Sequence, residues 1–120
     1  MRKEDLLSLT QDEVDALPFG LITLDPDGTI VGYNKAESEL SGLDPQRVLG
    51  RNFFEQIAPC TAVKEFAGLY REMVGSGRTQ SWEFNFLFRF AAGDKRVHIQ
   101  LAYFPEQQRG LIMVQSPSAS

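Results

Sequence analysis

The chain has one cysteine, Cys60, and one histidine, His98. A single thiol forbids an internal disulfide and gives no metal cluster. A single imidazole argues against a zinc centre or a histidine-based triad. Basic charge is not in excess: 12 Lys and Arg face 16 Asp and Glu, for a net charge of -4. No basic patch interrupts that balance, which argues against direct nucleic-acid binding. No run approaches the roughly 20 apolar residues of a membrane span. The N-terminal MRKEDLLSL has charges but no following apolar core and no small-residue cleavage site, so it is not read as a secretory signal. The expectation is a soluble cytoplasmic protein with no membrane partner. P-loop, GxGxxG, HExxH and CxxC patterns are all missing. The segment from Asp25 to Asp27 lacks the twelve-residue pattern of a calcium loop.

What is present fits one globular domain. The 120 residues suffice for one core, and 42% hydrophobic against 23% charged residues exclude disorder. Nine Phe in so short a chain imply a core or pocket lined by rings.

Residues 1–17 read as a short helical cap. Thr10 with Glu13 fits a capping box, Leu9 with Val14 fits a hydrophobic staple, and Pro18 ends the helix. FGLITL and TIVGYN flank the turn residues DPDG and form a hairpin signal. Several short helical pieces follow. One is capped by Asn34 and stopped by Gly42, one starts at Asp44-Pro45 and is closed by Gly50, and one is capped by Asn52 with Glu55 three residues on and stopped by Pro59. Thr61 is expected to cap the next helix, whose face is Val63, Phe66, Tyr70 and Met73 and whose end is Gly75 and Gly77. Trp82, Phe84, Phe86, Phe88 and Phe90 alternate with other residues, which puts five rings on one face of a strand. Gly93-Asp94 is expected to turn the chain into a strand with Val97, Ile99, Leu101 and Tyr103. A loop from Pro105 to Gly110 leads to LIMV at 111–114, whose unbroken apolarity marks a central strand. The fold class is therefore α+β: a five-stranded antiparallel sheet with short helices on one face and the N-terminal cap on the other. Residues 18–115 form the core, and 116–120, SPSAS, read as a disordered tail.

Two features attract chemistry. Tyr33, Glu37 and Ser41 follow at i, i+4, i+8; Glu37 and Ser41 share a helical face if the helix starts at Asn34. Three hydrogen-bonding groups beside Phe-rich strands suggest the polar end of an apolar pocket, although a core tyrosine, a solvent glutamate and a surface serine would give the same spacing. The second is Cys60, within NFFEQIAPCT. A lone cysteine behind an apolar run is more commonly a buried small hydrophobe than a reagent. His98 alternates with core residues and reads as a polar filler or surface side chain.

The strings FGLITLDPDGTIVGYNKAE, the Ser-Gly at 41–42, GRNFFEQIAPCT at 50–61, the Ser-Gly at 76–77 and WEF at 82–84 resemble the photoactive yellow protein family of blue-light receptors in the PAS domain superfamily. The resemblance covers nearly everything after Leu17, and the pairing of APCT with YNxAE is specific. It implies a PAS fold and para-coumaric acid (4-hydroxycinnamic acid) held as a thioester on Cys60. By the same resemblance Glu37 is the buried acid and Tyr33 the second donor to the chromophore phenolate. Ser41 is the hydroxyl residue, more often threonine, that bonds the tyrosine. Leu43 stands where the best-known members have an arginine over the chromophore. Phe88 stands where they have a pocket tyrosine, and Phe90 where some have methionine. Losing the arginine and a hydroxyl should change tuning and recovery without touching thiol, acid or tyrosine.

The leading expectation is a light sensor whose double bond isomerises, whose Glu37 gives up a proton, and whose fold then yields. The alternative is a PAS-type small-ligand or protein-interaction module with a merely structural Cys60. A small enzyme would need a base near the thiol, and only His98 offers an imidazole. No output domain is read, so the signal is expected to pass to an unknown downstream signalling protein. A weak homodimer is left open.

Overall fold

The computed structural model describes residues 2–90 and 93–116. Its sheet has five antiparallel strands in the order β2-β1-β5-β4-β3: β1 is Gly20–Leu24, β2 Ile30–Tyr33, β3 Gln80–Phe90, β4 Gly93–Phe104 and β5 Arg109–Gln115. The unbroken apolar run in β5 lies at the centre, as its pattern requires. Leu111 and Met113 face one side and Ile112 and Val114 the other, and all four are buried.

The two sides of the sheet hold separate cores. On one, Leu21, Ala102, Phe104, Leu111 and Met113 are covered by the N-terminal cap, with Leu6 buried and Leu7, Leu9, Val14 and Leu17 packed around it. The cap is two pieces, a 3-10 turn over Lys3–Ser8 and helix α1 over Gln11–Asp15. Thr10 and Glu13 close a reciprocal capping box at α1, which satisfies two of the donors that a helix start leaves free.

The other side carries the larger core and the short helical pieces. Helix α2 spans Lys35–Ser41 and stops at Gly42, whose φ of 77° favours glycine. Helix α3 spans Pro45–Val48, with Pro45 in its first turn and Asp44 accepting from Gln46 N–H. A π-turn over Phe53–Ile57, a 3-10 turn over Pro59–Thr61 and a second π-turn over Lys64–Gly68 then lead into helix α4, Leu69–Ser76.

Several expectations change here. Asn52 does cap, accepting from Phe54 and Glu55 N–H, but its own N–H is bonded by Gln56 and not by Glu55. The wider π-turn brings residue 56 back over residue 52. Thr61 does not cap the following helix. Its hydroxyl bonds Ala58 O at 2.6 Å and closes its own turn, and the next helical piece starts after Val63. Phe66, Tyr70 and Met73 form the buried face, whereas Val63 precedes the helix and is exposed. Gly77, at φ 67°, ends α4, and Gly75 lies inside its last turn.

Gly93 and Asp94 are not the turn. They already pair with Phe90 and Arg89 in the β3–β4 ladder, so the turn expected there falls outside the described residues, as does the tail beyond Ser116. Phe84, Phe86, Phe88 and Phe90 face the helix-side core, but Trp82 at the other end of the stripe is 54% exposed. Period two fixes the face of a side chain; whether anything covers that face depends on how far the helices reach. No helix among the described residues is long and apolar enough to cross a membrane.

Candidate functional site

The site grows from the junction of β2 and α2. Asn34 caps α2, and its carboxamide is fully used. Oδ1 accepts from Leu21 N–H at 2.9 Å and Glu37 N–H at 3.0 Å, and Nδ2 donates to Val14 O at 2.9 Å and Phe19 O at 3.0 Å. One buried side chain thus ties the cap, β1 and the first turn of α2 together. Tyr33 precedes it and Glu37 follows it, so both are placed from the same anchor.

Tyr33, Glu37 and Ser41 meet inside the helix-side core at 4%, 1% and 4% exposure. The Tyr33 hydroxyl lies 2.8 Å from Ser41 Oγ and 3.5 Å from Glu37 Oε2. The first is a full hydrogen bond and the second a long, weak contact. Ser41 Oγ also accepts the Leu43 N–H at 3.1 Å. The tyrosine has one proton to donate, and the distances assign it to Ser41. Glu37 Oε1 has no partner. Burial raises the Glu37 carboxyl to a pKa of about 8, with the Tyr33 contact only partly offsetting it. Near neutral pH Glu37 is therefore mostly a neutral acid with an O–H to give. Burial, then the nearby Glu37 carboxyl, pushes the Tyr33 phenol up as well, so it stays protonated. Two buried O–H groups side by side can solvate an anion that a pocket of hydrocarbon could not.

Cys60 sits in the 3-10 turn and is partly buried against the helix-side core. The turn is held by two bonds to Ala58 O, from Thr61 N–H and Thr61 Oγ. Leu43 and Phe90 are partly buried against that core, and Phe88 is buried within it at 1% exposure. Phe88 and Phe90 stack with centroids 5.1 Å apart, and Phe53 meets Phe88 edge-on at 6.3 Å. All seven residues singled out from the sequence thus border one core. Tyr33, Glu37 and Ser41 form its hydrogen-bonded cluster, Cys60 supplies its thiol, and Phe88, Phe90 and Leu43 are part of its apolar lining.

His98 is not among them. Its neighbours Val97 and Ile99 face the helix-side core, so its ring points to the opposite side, where it meets Asn85 Oδ1 at 3.0 Å and Glu83 Oε2 at 3.2 Å. It cannot serve as a base for Cys60.

Gly20 escaped notice in the sequence. A Cβ added to it would overlap Glu37 Oε1, so the carboxyl occupies the space a side chain would need. A glycine within a strand signals such a close approach, and FGLITL held that signal.

The PAS fold family model matches residues 14–114. The chain is 45% identical to a photoactive yellow protein of Rhodothalassium salexigens over 91 residues, 75% of this chain and 73% of that one. It is 36% identical to the photoactive yellow protein of Halochromatium salexigens over 101 residues, 83% of this chain and 81% of that one. Among solved structures it resembles the photoactive yellow protein domain of the sensor histidine kinase Ppr from Rhodospirillum centenum. The TM-score is 0.89 and the identity 39%, over 96% of this chain and all of that one.

Proposed function

The chain belongs to the photoactive yellow protein family, PAS-fold blue-light receptors and not enzymes, and from that premise we propose that it senses light through para-coumaric acid held as a thioester on Cys60. The observation that carries the reading is the pair of buried O–H groups, Tyr33 and neutral Glu37, with Glu37 Oε1 unpartnered at 1% exposure. The residues fit such a group: a thiol for the acyl end, rings for the apolar middle, and two donors for a phenolate.

Bound in this way, para-coumaric acid supplies a conjugated phenolate that absorbs in the visible and a double bond that light isomerises. A free phenol ionises near pKa ~10, and burial alone would raise it. Glu37 would offset that cost by donating directly, and Tyr33 by turning its one proton from Ser41 Oγ to the phenolate while the Ser41 hydroxyl donates to the tyrosine oxygen instead. Ser41 holds the tyrosine oxygen in place, and the Leu43 N–H, donating to Ser41 Oγ, holds the serine. Leu43 and the rings of Phe88 and Phe90 exclude water. In the light response Glu37 would give its proton to the phenolate oxygen of the bound group and become a carboxylate without a partner in an apolar core. Such a group costs kilocalories, and the first turn of α2 yields to hydrate it. A fold biased by one buried charge is a switch. The partner that reads it is a downstream signalling protein.

Intact mass tests the reading. Incubation with an activated coumaroyl ester should add one adduct and a visible absorption band, and Cys60→Ala should abolish both. A well-folded wild type that stays unmodified would leave Cys60 a structural residue.

A further inference from the structure

The two carboxyl oxygens of Glu37 have different surroundings. Oε2 faces the Tyr33 hydroxyl; Oε1 has no partner and lies where Gly20 lacks a side chain. Gly20 also borders a cavity of about 310 Å³ that opens between α2 and the ends of β1 and β5. Its walls include Pro18 and Phe19 before β1, Ala36 and Leu40 on α2, and Val114, the register partner of Gly20. Ala36 and Leu40 flank Glu37 on its own helix and are only partly buried. The cavity and the unpartnered oxygen therefore border the same bare Cα.

Two other cavities lie near the cluster. One of about 420 Å³, lined by Lys35, Ser38 and Glu39 of α2 with Gln11, Asp15 and Pro45, does not touch Gly20. One of about 360 Å³, lined by Leu6, Leu9, Val14 and Val31 and reaching Tyr33, lies under the cap, on the opposite face of the sheet from the Glu37 carboxyl. Beyond Tyr33 the rings of Phe53, Phe66 and Phe88 pack against one another in the helix-side core. We infer that the cavity beside Gly20 is the route by which water, and with it a proton, reaches Glu37, and that Ala36 and Leu40 set its width. The inference rests on the reading that Glu37 holds a movable proton. It adds where that proton is exchanged with solvent: at Oε1, past Gly20, away from Tyr33 and Cys60. A glycine at 20 then both makes room for the carboxyl and leaves the passage without a side chain across it.

Infrared spectroscopy of the whole chain on transfer to D2O tests this without illumination. The carbonyl band of a neutral carboxyl shifts when its proton becomes a deuteron, and the Glu37 band is the one that Glu37→Gln removes. Ala36→Leu should narrow the mouth and slow that shift about tenfold. Leu40→Ala should widen it and speed the shift. Val31→Phe, in the cavity under the cap, should leave the rate unchanged. If Ala36→Leu fails to fold, the opposite sign expected from Leu40→Ala still decides. Equal rates in wild type and Leu40→Ala, or slowing by Val31→Phe, would overturn the route while leaving Glu37 as the proton donor. A missing Glu37 band would remove the donor reading and the route with it.

Discussion

Gly20 and Glu37 are packed so closely that residue 20 has no room for a methyl group. The Cβ it lacks would overlap Glu37 Oε1 and lie 3.2 Å from Glu37 Cβ and 3.3 Å from Glu37 Cα. The backbone of α2 is therefore seated against β1 at the distance a glycine permits. Gly20→Ala should lower stability by about 1–3 kcal/mol, the usual cost of overpacking a filled interior. In a Glu37→Ala background the same change should cost much less, with a coupling of at least about 1 kcal/mol. Urea unfolding of the four proteins measures it, and additive losses would mean that the contact is not tight.

The buried acid makes stability depend on pH in a definite direction. Glu37 has a folded pKa of about 8 against an ordinary value of 4.5. Between those values the folded chain keeps a proton that the unfolded chain has released, so its contribution is full below 4.5. It falls as pH rises, at up to about 1.4 kcal/mol per pH unit, and levels off above about 8. Without chromophore, wild type should lose on the order of 3 kcal/mol from this group between pH 4.5 and 7. Glu37→Gln should lack that slope. The test is the difference between the two proteins in unfolding free energy at pH 5 and pH 8, and parallel curves would mean that Glu37 is ionised in the fold.

Much of this site was legible because it is local. Asn34 as a cap, Glu37 and Ser41 one turn apart, and the alternation of Phe84 to Phe90 follow from spacings of two, three and four residues. What was hidden depends on contacts far along the chain. Gly20 matters because of Glu37, 17 positions later, and Asn34 reaches back 20 positions to Val14 O. The π-turns at 53–57 and 64–68 were hidden for another reason. Their sequences satisfy an α-helical pattern equally well, and the extra residue per turn moved the bond expected from Glu55 to Gln56. The thiol was visible from the start, and its position, partly buried against the ring-lined helix-side core, is the one the Phe-rich sequence suggested.

Leu43 should tune kinetics and leave binding alone. Its backbone is pinned on both sides, with N–H bonded to Ser41 Oγ at 3.1 Å and O accepting from Ser38 Oγ at 2.6 Å. A change of side chain therefore alters the lid and not the path of the chain. Leu43→Arg should keep the Cys60 adduct and the dark colour but change the dark-recovery rate. A barrier change of only about 1.4 kcal/mol would be tenfold. Flash photolysis reads the rate, and recovery unchanged within error would place the side chain away from the chromophore ring.

Light should loosen the N-terminal cap. Its pieces are short, one 3-10 turn of six residues and one helix of five, too short to stand alone. Among the described residues Leu6 is its one buried side chain with a large apolar surface. Elements of that kind open first. One of its side-chain ties to the rest of the fold runs from Lys3 Nζ to Ser81 Oγ in β3, at 2.9 Å, and two run through the start of α2. Asn34 Nδ2 donates to Val14 O, and the Lys35 N–H donates to Asp15 Oδ1 at 2.8 Å. Asn34 also holds the Glu37 N–H, so a first turn of α2 that shifts to hydrate a Glu37 carboxylate pulls on the same carboxamide that holds the cap. The opposing expectation is that the cap stays, because Leu6, Leu9 and Val14 bury against the face of the sheet turned away from Glu37. Amide hydrogen exchange under steady blue light separates the two. Faster exchange at residues 6–17 in the light supports release of the cap and exposure of Leu21, Leu111 and Met113 to a partner. Asn34→Ala, which cuts the tie in advance, should then speed exchange there even in the dark. Equal light and dark rates at 6–17, with acceleration confined to 34–60, would make the cap a passive cover.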